Sequence, residues 1–246
     1  MAGETIKAAA ICLDVRPWSR TSHVVVWLTP AGKVTTVVKG AVRSKSLFLG
    51  QYDLNYTCEI LYYAGARRGV HALRDCAPVA MRERLRGDHR ALTLAGYCRK
   101  ISGELAPSGR ECEAWFAALG TALDRCEALA AGGTPGAMIA AMLGFEIEIL
   151  RLLGLAPDFS GFDQNAEWSA FSLEKGAFSE TGRRCVRVPL AAARYLASPD
   201  PEEENLKHPL DAARVIGVFY QFHLESASDV RRSVLGVISG KKEGNA

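Results

Sequence analysis

The chain has 246 residues, of which 48% are hydrophobic, and a formal net charge of +3. It is long enough for one large domain or for two to three smaller ones, and this composition excludes global disorder. Because its apolar runs are short or interrupted by charges, the sequence predicts no membrane span and no signal peptide.

The first eighty residues contain short strand patterns. Strand candidates lie at residues 6–15, 22–29, 33–40 and 70–76, and a turn at Pro30-Ala31-Gly32 separates the second from the third. Between residues 52 and 62 every second residue is apolar, which is typical of a half-buried strand. Five short strands indicate a small barrel, either an oligonucleotide-binding (OB) fold or an SH3-like barrel, and strand counting does not separate the two.

The spacing of apolar residues changes after Pro78. Apolar residues spaced by three or four predict helices within residues 92–105 and 115–126. Thr134 followed by Pro135 predicts the start of a third helix, with Gly154 as its cap, and a fourth is expected from Pro209 to Leu224. Residues 155–188 between these two helices are rich in glycine and aromatic residues, which predicts a small irregular subdomain or a hairpin.

Signatures of catalysis are absent from the sequence, which lacks phosphate-binding loops, dinucleotide-binding motifs, nucleophile elbows and zinc-protease motifs. We interpret Glu146 and Glu148 as a solvated helix edge and His223 as a core or boundary residue. A hydrolase site within residues 155–188 would need a nucleophile and a base, and we find no such pair. The sequence therefore predicts that the protein is not an enzyme.

The seven cysteines are widely spaced and form no C-x-x-C pair. Their odd number and spacing predict reduced thiols in a cytoplasmic protein, with neither a disulfide framework nor a thiolate zinc site.

The positive charge is concentrated in the N-terminal part of the chain. Residues 1–110 hold 17 Lys and Arg against 8 Asp and Glu, whereas residues 111–246 hold 13 against 19. Loops of one barrel can converge on a rim, and a cationic groove with aromatic faces suits nucleic acid. The alternative is that these are ordinary solvated loops and that Trp18 is half-buried packing. The candidate DNA-binding residues are Arg16, Trp18, Arg20, Lys33, Lys39, Arg43, Lys45, Arg67 and Arg68.

The segment "LDVRPWSRTSHVVVWLTPAGKVTTVVKGAVRSKSLF" (residues 13–48) resembles the OB-fold of the RecO family of bacterial recombinational DNA-repair proteins. In order and spacing it matches the family's arginine-proline step, its "L-T-x-x-x-G-K" strand end and its "K-G-x-R-R-x-K-S-x-F" loop. Val42 and Leu47 stand where basic residues are usual, so we expect a weaker phosphate-binding loop. Residues 146–159 are similar to the family's "L-G-x-x-P-D" helix end, although the helical region matches more loosely.

The resemblance implies an α+β multidomain protein. An N-terminal five-stranded OB-fold barrel would cover residues 1–80, and an α-helical domain would cover residues 81–246. The irregular insertion at about 155–188 would be zinc-finger-like. Many members carry a four-cysteine zinc site there, but Cys185 is the only cysteine of this segment, so we predict no zinc and no other cofactor. Aromatic packing is expected in its place, by Phe162, Trp168, Phe171 and Phe178.

The resemblance also implies a function, that of a non-catalytic DNA repair and recombination mediator. Such a protein binds single- and double-stranded DNA and anneals complementary strands. Its partners are RecR and the C-terminal tail of single-stranded-DNA-binding protein, and it helps to load RecA recombinase. We therefore expect a bacterial cytoplasmic protein associated with the nucleoid.

Two points stay open from the sequence. Four arginines are candidates for a cationic pocket that binds the acidic tail, although we favour an ordinary solvated helix face as their explanation; they are Arg82, Arg84, Arg86 and Arg99. The alternative function is an OB-fold protein-interaction scaffold, whose barrel contacts an acidic partner and does not bind DNA directly.

Overall fold

The computed structural model describes residues 4–64, 69–108, 112–182, 184–200, 206–224 and 228–240. The chain is α+β, with a strand-rich N-terminal part followed by helices. It divides into two units, residues 1–83 with 98–124 and residues 84–97 with 125–246. Residues 98–124, which the predicted boundary at residue 80 would assign to the helical domain, group with residues 1–83.

Five strands of the described chain close into a barrel: β1 (Thr5–Pro17), β2 (His23–Thr29), β3 (Gly32–Val38), β4 (Thr57–Tyr63) and β5 (Val70–Ala80). The strand order is β1-β2-β3-β5-β4, and β4 pairs with β1 to close the barrel. The β3–β5 pair is parallel, whereas the other four pairs are antiparallel. This barrel is compatible with the predicted OB-fold.

The barrel interior is filled by alternate residues of the strands. Val25, Trp27, Cys58 and Ile60 are each fully buried there. The Trp27 indole N–H donates to Thr36 Oγ1 over 2.9 Å, so the polar atom that enters the core with the ring is satisfied. Burial raises the pKa of the Cys12 thiol in the same core, which keeps this cysteine protonated.

The strand predicted from residue 52 begins only at Thr57, so the first half of that prediction is wrong. The amide of Leu54 donates to Asp53 Oδ1 over 2.8 Å, and Asn55 has a φ of 68°, which together form a turn. Tyr52 and Tyr56 still pack against the barrel core. The alternation therefore reports which side chains are buried, and it does not require an extended backbone.

The helices of the described chain are α1 (His89–Leu105), α2 (Glu113–Leu129), α3 (Pro135–Leu152), α4 (Leu190–Ala197), α5 (Lys207–His223) and α6 (Ser228–Ser239). A 3₁₀ turn at Glu83–Gly87 precedes them. The four predicted helices are confirmed as α1, α2, α3 and α5, whereas α4 and α6 were not predicted. In the second unit α3 packs against α5 and α6, and α4 packs against α5.

Local capping sets the ends of two helices. Thr134 Oγ1 accepts the Ala137 amide over 3.1 Å at the start of α3, as the Thr-Pro pair predicts. Past its end, Gly154 has a φ of 73° and donates to Arg151 O, while Leu155 donates to Leu150 O. At the start of α1, Asp88 Oδ1 accepts the amides of residues 90 and 91 over 2.8 and 3.1 Å.

The insertion within residues 155–188 is a small antiparallel sheet of β6 (Trp168–Ser172), β7 (Ala177–Phe178) and β8 (Cys185–Pro189), in the order β7-β6-β8. Phe171 is fully buried and contacts Phe178 with ring centroids 5.3 Å apart. Trp168 does not join this cluster as expected. It is 44% exposed, and the Arg187 guanidinium lies 4.3 Å from the centroid of its ring.

Glu146 is completely buried, so its interpretation as a solvated helix edge is wrong. Its carboxylate accepts two hydrogen bonds from Arg231 and one from the Tyr97 hydroxyl. Glu148 follows the prediction more closely, since it forms a surface ion pair with Arg151. A buried carboxylate is tolerated here because each oxygen has a charged or hydroxyl donor.

The described residues contain neither a membrane-spanning helix nor a cluster of metal-binding side chains. No helix within the described ranges combines the length and the apolar character needed to cross a membrane. Over the same residues no three His, Cys, Asp or Glu side chains are placed to hold a metal ion. The absence of zinc and of other cofactors stays a prediction.

Candidate nucleic-acid interface

One end of the barrel carries a groove at the termini of three strands. Pro17 of β1 pairs with His23 of β2, and His23 pairs with Val38 of β3, so the β1–β2 turn lies beside the segment that follows β3. The groove has a volume of about 450 Å³, and we call it the Trp18 groove. Its lining residues are Trp18, Ser19, Thr21, Ser22, Val37, Lys39, Gly40 and Arg43.

Backbone and hydroxyl hydrogen bonds join the two sides of the Trp18 groove. The β1–β2 turn is closed by the Trp18 amide, which donates to Ser22 O over 2.8 Å. The buried Ser22 hydroxyl accepts the Gly40 amide over 3.3 Å, and the Val42 amide donates to Thr21 O over 3.3 Å. The segment after β3 is therefore attached to the β1–β2 turn at two points.

That segment, residues 39–51, is a series of turns. Gly40 begins it with a φ of 67°, a conformation that side-chain-bearing residues adopt rarely. The Arg43 amide donates to Gly40 O and the Ser46 amide donates to Arg43 O, over 3.1 and 2.9 Å. Phe48 packs against the barrel core and so holds the segment against the barrel. Small and polar residues at these positions favour turns over a further strand.

The aromatic and cationic side chains of the Trp18 groove are exposed. Trp18 is 69% exposed, which is inconsistent with the alternative that it is half-buried packing. The aliphatic part of Arg43 lies close to Gly40, since a Cβ added there would be 3.3 Å from Arg43 Cδ. Among the described residues, the exposed cations near this barrel end are Arg16, Arg20, Lys39, Arg43 and Lys45, of which Arg16 also forms an ion pair with Asp14.

One predicted site residue, Lys33, lies away from this groove. Lys33 pairs with Leu28, five residues along β3 from Val38, which corresponds to roughly 17 Å at the rise of a strand. Its ammonium donates to Gly103 O over 3.1 Å, so Lys33 ties β3 to α1. Arg67 and Arg68 lie outside the described residues.

The four arginines considered for a tail-binding pocket differ in burial and in hydrogen-bond partners. Arg82 is only 5% exposed and donates to Asp124 Oδ1 and to Asn55 O over 2.8 and 2.7 Å. The Arg99 guanidinium donates to Leu13 O, and burial lowers its pKa. Both have structural roles within the barrel's unit. Arg84 and Arg86 are exposed on the 3₁₀ turn of the other unit.

The second unit has a groove between α5 and α6 that the sequence prediction missed, because α6 itself was not predicted. It has a volume of about 460 Å³. The apolar spacing of Val230, Val234 and Ile238 is the signal that would have revealed this helix. We call it the α5–α6 groove, and it is lined by Leu210, Arg214, Gly217, Val218, Gln221, Arg231, Arg232, Leu235, Gly236 and Ser239.

Comparison with known proteins identifies no family. No protein-family model matches the chain, and no curated protein matches it significantly in sequence. The resemblance to the RecO family therefore rests on the motifs within residues 13–48 and 146–159.

Proposed function

We propose that the protein is a DNA repair and recombination mediator of the RecO type, whose barrel is an OB-fold that binds DNA at the Trp18 groove. The observation that carries this proposal is the exposure of Trp18 at a groove lined by Lys39 and Arg43. An exposed tryptophan between cations, on a surface that is also concave, is typical of a site for single-stranded nucleic acid.

The groove supplies three kinds of contact that DNA requires. Lys39 and Arg43 of the groove, with Lys45 of the same turn segment, neutralise phosphates, which provides most of the salt-dependent affinity. The hydroxyls of Ser19 and Thr21, which line the groove, suit hydrogen bonds to phosphate oxygens. Stacking of a base on an aromatic ring contributes roughly 1–3 kcal/mol. These contacts are independent of base sequence, as a mediator of repair at arbitrary sites requires.

Strand annealing follows from the same charges. Two complementary strands repel each other through their phosphates, and a cationic surface that holds both lowers this repulsion. The reaction needs no bond to be made or broken in the DNA backbone, so the mechanism is non-catalytic. Together with RecR, the protein then helps to load RecA onto DNA covered by single-stranded-DNA-binding protein.

The α5–α6 groove is the candidate site for the C-terminal tail of single-stranded-DNA-binding protein. Leu210, Val218 and Leu235 give it an apolar lining, and Arg232 is exposed at its edge. An acidic tail with apolar side chains would complement both features. Arg232→Glu is expected to weaken the binding of a tail peptide at least tenfold, whereas Arg125→Glu, an exposed cation of α2, is expected to leave it unchanged.

A salt titration of DNA binding by the full-length protein tests the proposal. Replacing Lys39, Arg43 and Lys45 together by Ala should weaken binding to a fluorescent single-stranded oligonucleotide. It should also reduce the slope of log K against log salt by about 2, because each neutralised phosphate contributes about 0.7 on single strands. The matched control replaces three exposed cations outside the groove, Lys100, Arg125 and Arg194.

Equal effects of the two triple variants would contradict the proposed site. Absence of salt-dependent binding by the unmodified protein would contradict DNA binding altogether. That second result would favour the protein-interaction scaffold, in which the same cations contact an acidic protein.

A further inference from the structure

Leu47 is the most exposed large apolar side chain among the described residues, with 89% of its surface accessible. It lies in the segment that forms one side of the Trp18 groove, together with Val42 and Leu49, which are 48% and 49% exposed. Single exposed apolar residues are ordinary on protein surfaces, but three occur here within eight residues of one turn segment, and we call these three side chains the apolar patch.

The backbone around Leu47 holds its side chain outward. The Phe48 amide donates to Ser46 Oγ over 3.2 Å, and the Leu49 amide donates to Ser46 O over 3.4 Å. Phe48 itself packs against the barrel core. Because its neighbour points inward and the turn is closed by hydrogen bonds, Leu47 is presented to solvent at a defined position.

The surroundings of this leucine are cationic. Lys45 is exposed two residues before it, and Arg43 is exposed four residues before it and lines the Trp18 groove. Four residues span at most about 14 Å of chain. A ligand held by Arg43 is therefore within reach of Leu47, and the charges around the leucine select a polyanion.

We propose that Leu47 is a base-contacting residue that makes this surface prefer single-stranded over double-stranded nucleic acid. The inference rests on the proposed function and adds a strand preference to it. An apolar side chain gains little from phosphates, but it gains from the face of an unpaired base, which is also apolar. In a duplex the base faces are stacked on one another. A side chain can contact them only after they are unstacked, which costs free energy.

Anionic lipid is the other polyanionic surface that combines with exposed leucines. Nucleic acid is favoured here because the apolar patch borders a concave groove with side-chain hydroxyls and an exposed tryptophan. A flat membrane surface does not enter such a groove, whereas a single strand with its bases unstacked does.

The experiment compares single-stranded and duplex forms of one fluorescent oligonucleotide, titrated with the full-length protein at several salt concentrations. Leu47→Ala should weaken single-strand binding about fivefold and duplex binding less than twofold, because only unpaired bases offer an apolar face. The salt slope should stay unchanged, since no charge is removed. Val79→Ala on β5, which truncates a 72% exposed side chain outside the groove-forming segments, should leave both affinities unchanged.

A second variant tests the same residue from the opposite direction. Leu47→Lys should raise the single-strand salt slope by about 0.7, because it adds one phosphate contact. It should also reduce the ratio of single-strand to duplex affinity, because phosphates are present in both ligands.

The possible outcomes separate this inference from the proposed function. If the unmodified protein binds no oligonucleotide, both fail. If it binds but Leu47→Ala weakens both ligands equally or neither, the inference fails and the proposed function stands. If Leu47→Ala abolishes binding to phosphatidylglycerol vesicles but leaves oligonucleotide affinity unchanged, the patch contacts lipid and the inference is overturned.

Discussion

Glu146 of α3 and Arg231 of α6 form a buried, bidentate ion pair. Arg231 Nε lies 2.7 Å from Glu146 Oε1 and Nη2 lies 2.9 Å from Oε2. Burial alone would lower the pKa of the Arg231 guanidinium, but the adjacent carboxylate raises it more, so the arginine stays charged. The Tyr97 hydroxyl donates to the same carboxylate over 2.5 Å, and burial together with this carboxylate raises the pKa of Tyr97. The pair joins two helices that are distant in sequence.

Removing one member of this pair should destabilise the protein strongly. Arg231→Met leaves the Glu146 carboxylate buried without its counter-charge, which costs about 3–5 kcal/mol. The double variant Glu146→Gln/Arg231→Met should recover a substantial part of that loss, because no charge is left buried. Unfolding in urea, monitored by circular dichroism, gives the free energies.

The exposed pair of Glu148 and Arg151 is the matched control. It has the same bidentate geometry, but the Arg151 side chain is 66% exposed. Arg151→Met should therefore cost much less than Arg231→Met, because solvent screens an exposed ion pair. Similar losses in the two single variants would show that burial is not what gives the Glu146–Arg231 pair its importance.

Asp88 should stabilise α1 in a pH-dependent way. Burial acts to raise the pKa of this carboxyl, but the amides of residues 91 and 90 and the charge of Arg90 lower it more. The folded pKa thus lies below the unfolded value of about 3.9, so the contribution is complete above that value. It is lost as the pH falls through the folded pKa.

Two variants of Asp88 distinguish the role of its hydrogen-bond acceptor from the role of its negative charge. Asp88→Ala should cost about 1 kcal/mol at pH 7, and the difference from the unmodified protein should shrink in acid. Asp88→Asn retains an oxygen acceptor for the same amides, so it should be more stable than Asp88→Ala by an amount that does not depend on pH, because neither variant has the titrating carboxyl. A difference between Asp88→Ala and the unmodified protein that stays constant down to acid pH would contradict the assignment. Urea denaturation at a series of pH values measures the free energy of unfolding of both variants and of the unmodified protein.

Gly40 should position Arg43 in addition to allowing the turn. Gly40→Ala places a side chain at a φ of 67°, which costs about 1–2 kcal/mol, and brings its Cβ to 3.3 Å from Arg43 Cδ. Gly50→Ala is the control, because Gly50 has a φ of 74° but no neighbouring atom within 4 Å of an added Cβ. Both variants should lose stability in thermal unfolding. Only Gly40→Ala should also lose affinity for single-stranded DNA, and equal affinities would argue against a positioning role.

Trp18 should report DNA binding directly. Trp18→Ala is expected to weaken single-strand binding by about 1–3 kcal/mol with an unchanged salt slope, because stacking involves no charge. Trp168→Ala removes another partly exposed tryptophan, covered by Arg187 in the small sheet, and should leave affinity unchanged. The quenching of tryptophan fluorescence by the oligonucleotide should be lost in Trp18→Ala and retained in Trp168→Ala. The reverse pattern would place the DNA site elsewhere.

Local patterns were sufficient for most of the elements. Strands β2 and β3 and the cap at Thr134 follow from β-branched runs and from a Thr-Pro pair, both of which act through neighbouring residues. The turn at residues 53–55 was missed because alternation reflects burial, and Tyr52 is partly buried without belonging to a strand. Helix α6 was missed because its apolar stripe is short.

The candidate site likewise combines features that the sequence shows with features that depend on the fold. The residue types that follow β1 and β3 can be read from the sequence, so the cations, the tryptophan and the glycine of this region were predictable. Which of them lie together depends on the folded barrel. Barrel register places Lys39 and Arg43 beside Trp18 but sends Lys33 to the other end of β3, and packing of Phe48 leaves Leu47 in solvent. The tertiary structure also decided that Glu146 is buried, because Arg231 lies 85 residues further along the chain. Propensity is a property of neighbours in sequence, whereas charge pairing and exposure depend on contacts that only folding creates.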